Sequence, residues 1–210
     1  MAQQPHMSSE LLADDRASRS YAFGLLLSRI FHPVPLAIFM FLVVGIYAAD
    51  SASSGIVWAI VCVLTMILPT TIFFAVRLRQ GVYSDEDVSQ RHQRTELYVV
   101  SISTMVLGTG VLAYLGLPRP FLALLASSLL IGLLAFGINM FWKISVHAGS
   151  VASAATVATL YSGGLGLALW LCALAVGWAR VRTGNHTVMQ VTMGMLLALS
   201  VITLVFRLMA

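Results

Sequence analysis

The sequence predicts an all-α fold, a polytopic transmembrane helical bundle of six to seven spans. Of 210 residues, 59% are hydrophobic and only 10% are charged, and the mean hydropathy is +0.92. A soluble domain carries about 25% charged residues. Several uncharged windows approach the roughly 20 apolar residues that a spanning helix needs. The alternating pattern of about 10 residues that marks a β-barrel strand is absent, and helices are the other way to pair the backbone inside a bilayer.

The elements follow in order. Residues 1–32 read as a polar amino-terminal tail and an interfacial helix. The tail carries Asp14, Asp15, Arg16 and Arg19 and lacks the apolar core of a signal peptide. Tyr21, Phe23, Ile30 and Phe31 suit an interfacial helix that stops at His32-Pro33-Val34-Pro35, where proline breaks the pattern. Residues 33–210 read as a single transmembrane domain. Its candidate spans are Val34–Ala49, Gly55–Val76, Leu97–Gly116, Pro120–Trp142, Val146–Tyr161, Leu165–Ala179 and His186–Leu208. If the 16 residues of Val34–Ala49 fail to cross, the count is six. Short connections at Asp50–Ser54, Leu117–Arg119 and Ser162–Gly164 imply tight hairpins. The run His147 to Ala158 is rich in Ala, Ser and Gly and suits close helix packing. Cys62 and Cys172 lie in apolar runs and read as free buried thiols, and no Cys/His pair has zinc-site spacing.

The charges fall unevenly. With a cytoplasmic amino terminus, one face receives Arg16, Arg19, Arg29, Arg77, Arg79, Arg91, Arg94, Lys143, Arg180 and Arg182, and the other receives Arg119 and Arg207. This bias orients a multi-pass integral membrane protein with its active face cytoplasmic. The net charge of +4 fits interfacial arginines better than nucleic-acid binding. The loop 77–96, the turn Lys143–His147 and the stretch Ala179–Val191 then share a face, which is how a site is organised.

Each polar segment also has a bland reading. Lys143 and His147 are four apart and share a helix face, yet a lysine at a span end often only snorkels. Arg180 and Arg182 close one span, Gly184 and Asn185 supply a turn, and His186 opens the next span with Gln190 one helical turn on. Such groups anchor membrane ends, but they are costly unless paired or functional. Tyr83 to Arg94 holds Asp85, Glu86 and Asp87, then Arg91 and Arg94. It fits a solvated loop, an arginine phosphate clamp or a Mg²⁺-diphosphate site. His6, His32 and His92 receive no role.

The stretch Ala179-Arg180, five residues, His186, three residues and Gln190 resembles the last motif of the type-2 phosphatidic acid phosphatase (PAP2) superfamily, S-R-x5-H-x3-D. Ile144-Ser145-Val146-His147 resembles the preceding P-S-G-H. Ala179, Val146 and Gln190 depart from the family's serine, glycine and aspartate, and of the first motif, K-x6-R-P, Asp87 to Thr95 keeps only Arg94. His186-Thr187-Val188-Met189-Gln190-Val191 is similar to the H-T-x-x-Q-V of dolichyl and polyprenyl diphosphatases. The resemblance covers roughly residues 143–208, a PAP2-like core in the C-terminal half.

That resemblance implies a lipid phosphatase acting on a phosphate or diphosphate monoester, preferably a prenyl one, through a phosphohistidine. It implies His186 as nucleophile, Gln190 as its orienting acceptor and His147 as leaving-group acid. Arg180, Lys143, Arg182 and Arg94 would bind phosphate, with no metal and no cofactor. Two rivals stay open. One is a non-catalytic lipid-binding or structural subunit. The other is a prenyl-transferring enzyme using Asp85 and Asp87, for which no second aspartate-rich loop is present.

Overall fold

The computed structural model describes residues 18–85, 88 and 90–210. Among these residues the fold is eight helices. They are α1 Arg19–Ile30, α2 Pro33–Ala48, α3 Ala52–Arg79, α4 Arg94–Tyr114, α5 Arg119–Asn139, α6 Val146–Tyr161, α7 Gly163–Arg182 and α8 Val188–Met209. A π-helical segment, Val63–Ile67, interrupts α3 just before Pro69. A proline cannot donate to the helical ladder, and a widened turn absorbs that mismatch.

Five helices, α3, α4, α5, α7 and α8, are long and apolar enough to cross a membrane. The pair α1 and α2, bent by 44° at the His32-Pro33 break, makes a sixth candidate. The protein is thus an integral membrane protein. The candidate span Val146–Tyr161, α6, is not among these six: it has 16 residues, about 24 Å at ~1.5 Å per residue. That is shorter than the roughly 30 Å hydrocarbon core. Other helices surround it: Ala148, Val151, Ala152, Ala154, Ala155, Val157 and Ala158 are all fully buried.

Ring contacts fix the direction of the passes. His32, at the start of α2, meets His147 at the start of α6. Tyr47, near the end of α2, stacks on Tyr161 at the end of α6, which also touches Phe206 of α8. So α2, α6 and α8 run side by side, and α3, α5 and α7 return between them. The segments around Arg94, Lys143 and His186 therefore gather at one end of the bundle.

The crossing of α6 and α8 positions that end. Gly194 lies one turn beyond Gln190, and a Cβ built on it would stand 2.7 Å from the Ser145 carbonyl oxygen. Only glycine allows this approach. It lets the Ser145 N–H donate to the Gln190 carbonyl at 3.2 Å, which joins the two helix starts. Gly194→Val should therefore cost about 1–3 kcal/mol, the usual range for overpacking. It should also depress activity more than an equally destabilising change far from this end. Thermal unfolding in detergent and turnover, measured on the same preparation, check this; unchanged stability would refute the close approach.

Candidate active site

The last helical hairpin builds the centre of the site. α7 ends in Arg180 and Arg182, basic side chains suited to the negative end of a helix dipole. The chain turns at Gly184, whose φ of 71° is one that side-chain-bearing residues rarely adopt. It folds back so that the His186 N–H donates to the Arg180 carbonyl at 3.1 Å. Lys143 reaches across from the turn before α6 and donates from Nζ to the Asn185 carbonyl at 3.1 Å.

Thr187 starts α8 with a capping box. Its Oγ1 accepts from the Gln190 N–H at 3.3 Å, and Gln190 Oε1 accepts from the Thr187 N–H at 3.1 Å. The same oxygen lies 3.2 Å from His186 Nδ1. This geometry settles the tautomer by elimination. A backbone N–H only donates, so the atom facing it is the amide oxygen, and that oxygen offers Nδ1 only lone pairs. Nδ1 therefore carries the hydrogen, and Nε2 keeps its lone pair.

His186 is buried, at 7% exposure. Burial drives its pKa down from 6.5 to about 3; Lys143 and Arg180 push it the same way, the Gln190 hydrogen bond opposes, and Arg94 adds a smaller lowering. Desolvation and neighbouring cations both disfavour the imidazolium. The result is a neutral imidazole with a free lone pair, in the field of Lys143, Arg180 and Arg94. Such an arrangement suits an anion that brings its own negative charge to a nucleophile.

The structure brings Arg94 to this end from far along the chain. Arg94 is buried, and its Nε donates to the Val88 carbonyl at 2.7 Å. Val88 has φ 45°, strained for a β-branched residue. The flanking loop is tied down as well. Arg77 bridges Glu96 at 2.8 Å, Tyr83 donates to Glu96 at 3.4 Å, and Ser84 N–H donates to Gln93 at 3.1 Å.

His147 is the second residue of α6, just after Ser145, which caps the helix. It lines a mostly apolar cavity of about 600 Å³ together with Arg94 and His32. The cavity follows α4 down to Met105 and has Phe74 and Gly132 on its other walls.

Arg182 points away from Arg180. At about 100° per residue it points some 200° round α7 from the buried Arg180. Its Nε donates to Ser20 at 3.0 Å and its Nη2 to Ser18 at 2.9 Å. It therefore faces the start of α1 and holds that helix. His32, which the sequence left without a role, stands beside His147 instead. Of the acidic loop, Glu86 and Asp87 lie outside the described residues, and Asp85 accepts from Ser84 at 2.9 Å. Among the described residues no three His, Cys, Asp or Glu side chains are grouped to hold a metal ion.

A family model described as the PAP2 superfamily matches residues 94–210, 117 of the chain's 210 residues. The match begins at Arg94, well upstream of the residues that carried the resemblance. No curated protein and no solved structure matches the chain.

The tautomer argument has a direct test. In histidine-labelled protein in detergent, nitrogen NMR should show His186 as the neutral Nδ1–H form at pH 8 and still so at pH 5, above its depressed pKa. An imidazolium signal from His186 at pH 5 would refute the assignment.

Proposed function

Because the chain belongs to the PAP2 superfamily, we propose that it is an integral membrane lipid phosphatase that works through a phosphohistidine on His186. The observation that carries this reading is the Gln190 amide, held by its capping box, which leaves His186 Nε2 with its lone pair among Arg180, Lys143 and Arg94.

The chemistry is phosphoryl transfer, which needs an in-line nucleophile, cations on the phosphoryl oxygens and a proton for the leaving group. His186 Nε2 forms a bond to phosphorus. The bond from phosphorus to the lipid oxygen breaks, its electron pair leaves with that oxygen, and protonated His147 gives it a proton. Water then attacks the phosphohistidine and passes its proton back to His147, releasing inorganic phosphate and restoring both histidines. Arg180 grips phosphoryl oxygens with its planar fork. Lys143 and Arg94 balance the remaining charge. Arg182, engaged with Ser18 and Ser20, supports the site by holding α1.

The tail of the substrate fits the apolar cavity that starts at Arg94 and His147. Along α4 it runs from Arg94 to Met105, about 16 Å at ~1.5 Å per residue. A lipid phosphate is the substrate class that this combination of charged mouth and greasy walls suits. The stretch His186-Thr187-Val188-Met189-Gln190-Val191, similar to that of dolichyl and polyprenyl diphosphatases, favours a prenyl phosphate or diphosphate. The strong bias of Lys and Arg toward this end favours the cytoplasmic face. A non-catalytic lipid-binding role is the second reading, favoured by Ala179 and Val146 where the family carries serine and glycine.

His186→Ala should abolish phosphate release from prenyl phosphates in detergent micelles while the unfolding midpoint stays near that of the wild type. Wild-type release by this variant would end the phosphohistidine reading, and no release by the wild type would favour the non-catalytic one. The cations proposed here are side chains, so EDTA should leave turnover unchanged. Inhibition by EDTA reversed by Mg²⁺ would turn attention to the acidic loop. Gln190→Asp should retain or raise the rate, since a carboxylate accepts the same Nδ1 hydrogen and stabilises the developing cation better. A folded but inactive Gln190→Asp protein would show that the amide has another task.

A further inference from the structure

We propose that His32 is a positioning residue for His147, fixing the proton of the pair on His147, where the leaving group needs it. The inference rests on the reading of His147 as the acid. It starts from the break between α1 and α2. His32 is the residue before Pro33, and its own Nδ1 caps α2 by accepting the Val34 N–H at 3.3 Å. A nitrogen that accepts this hydrogen bond carries no proton, so the single ring hydrogen of His32 sits on Nε2. Protonating Nδ1 would break the cap. The start of the helix thus favours the neutral form of His32.

The ring of His32 meets that of His147 with centroids 5.5 Å apart and planes at 84°. Both rings line the same cavity, where Arg94 and Tyr98 are the other charged or titratable groups. Two imidazoliums in contact repel, so the pair titrates as a unit and holds one proton more readily than two. With the cap favouring neutral His32, that proton goes to His147. A neutral aromatic ring is also a favourable neighbour for a cation, and the near-perpendicular contact holds the plane of the His147 ring. When the bond from phosphorus to the lipid oxygen breaks, the oxygen takes this proton and His147 is left neutral. His32 itself touches no reacting atom.

The test compares leaving groups. An alkyl phosphate such as n-octyl phosphate needs a proton on departure, whereas p-nitrophenyl phosphate departs as a stable anion. The ratio of their kcat/KM values therefore reads the acid alone, and a general packing defect does not move it. His32→Asn keeps a good helix cap and removes the ring, so folding, followed by the unfolding midpoint, should hold. The alkyl-to-aryl ratio should fall about tenfold, part of the 10²–10⁴-fold that a positioned acid supplies. In a His147→Asn background the same change should have no further effect on the ratio. An unchanged ratio in His32→Asn, or an undiminished effect in the double variant, overturns the role of His32 alone. A ratio that His147→Asn fails to move overturns the acid assignment and this inference with it.

Discussion

The contact between the Ser145 backbone and Gly194 is the constraint on which the rest of this protein depends. Two helix starts, from α6 and α8, are pressed together where a single methyl group would hold them apart. Ser145 donates to the Gln190 carbonyl, Gln190 holds the His186 ring, and His147 follows Ser145 by two residues. The two candidate histidines come from different spans, and their relation is set by backbone rather than by flexible side chains. Sites held this way keep their geometry when a substrate binds.

The site also solves an electrostatic problem. Cations at the membrane end are costly when buried, as Arg94 and Arg180 are, and each here, half-buried Lys143 included, has a stated place. Lys143 caps a turn carbonyl, Arg94 binds a loop carbonyl, and Arg180 lies against the hairpin that carries His186. Burial first, and then their combined field, keep His186 from taking a proton, so its ring stays neutral in surroundings suited to an anion. A neutral amide suffices as the orienting partner because its own orientation is fixed twice, by Thr187 and by the ring.

Much of this was legible from spacing. Residues four apart meet on one helical face, so the spacing alone places Gln190 beside His186, as the contact between them bears out. The converging polar segments were legible from hydropathy and charge, because alternating spans force alternate loops to one end. Other features were not legible. Arg182 looked like a partner of Arg180 because both are basic, yet two residues on a helix face nearly opposite ways. Arg94 depends on a loop carbonyl with an unusual backbone angle, and no local pattern reports that. His32 pairs with a residue more than half the chain away, and its proline neighbours drew attention to the break rather than to the ring. The length of α6 misleads in the other direction, since a helix sheathed by protein need not match the lipid.

That sheathed helix bears on how the protein is made. α6 is short and rich in Ala, Ser and Thr, and a lone segment of this kind gains little by leaving the insertion machinery for lipid. A single residue, Ser162, separates it from α7, capping one helix and ending the other. The two therefore form one tight hairpin, in which α7 is the helix long and apolar enough to cross. Gly163 and Gly164 leave open space at that bend. The hairpin is complete only once α7 has followed α6, and His186, just ahead of α8, is made later still. The end that gathers Arg94, Lys143 and His186 is thus complete only when nearly the whole chain has been made.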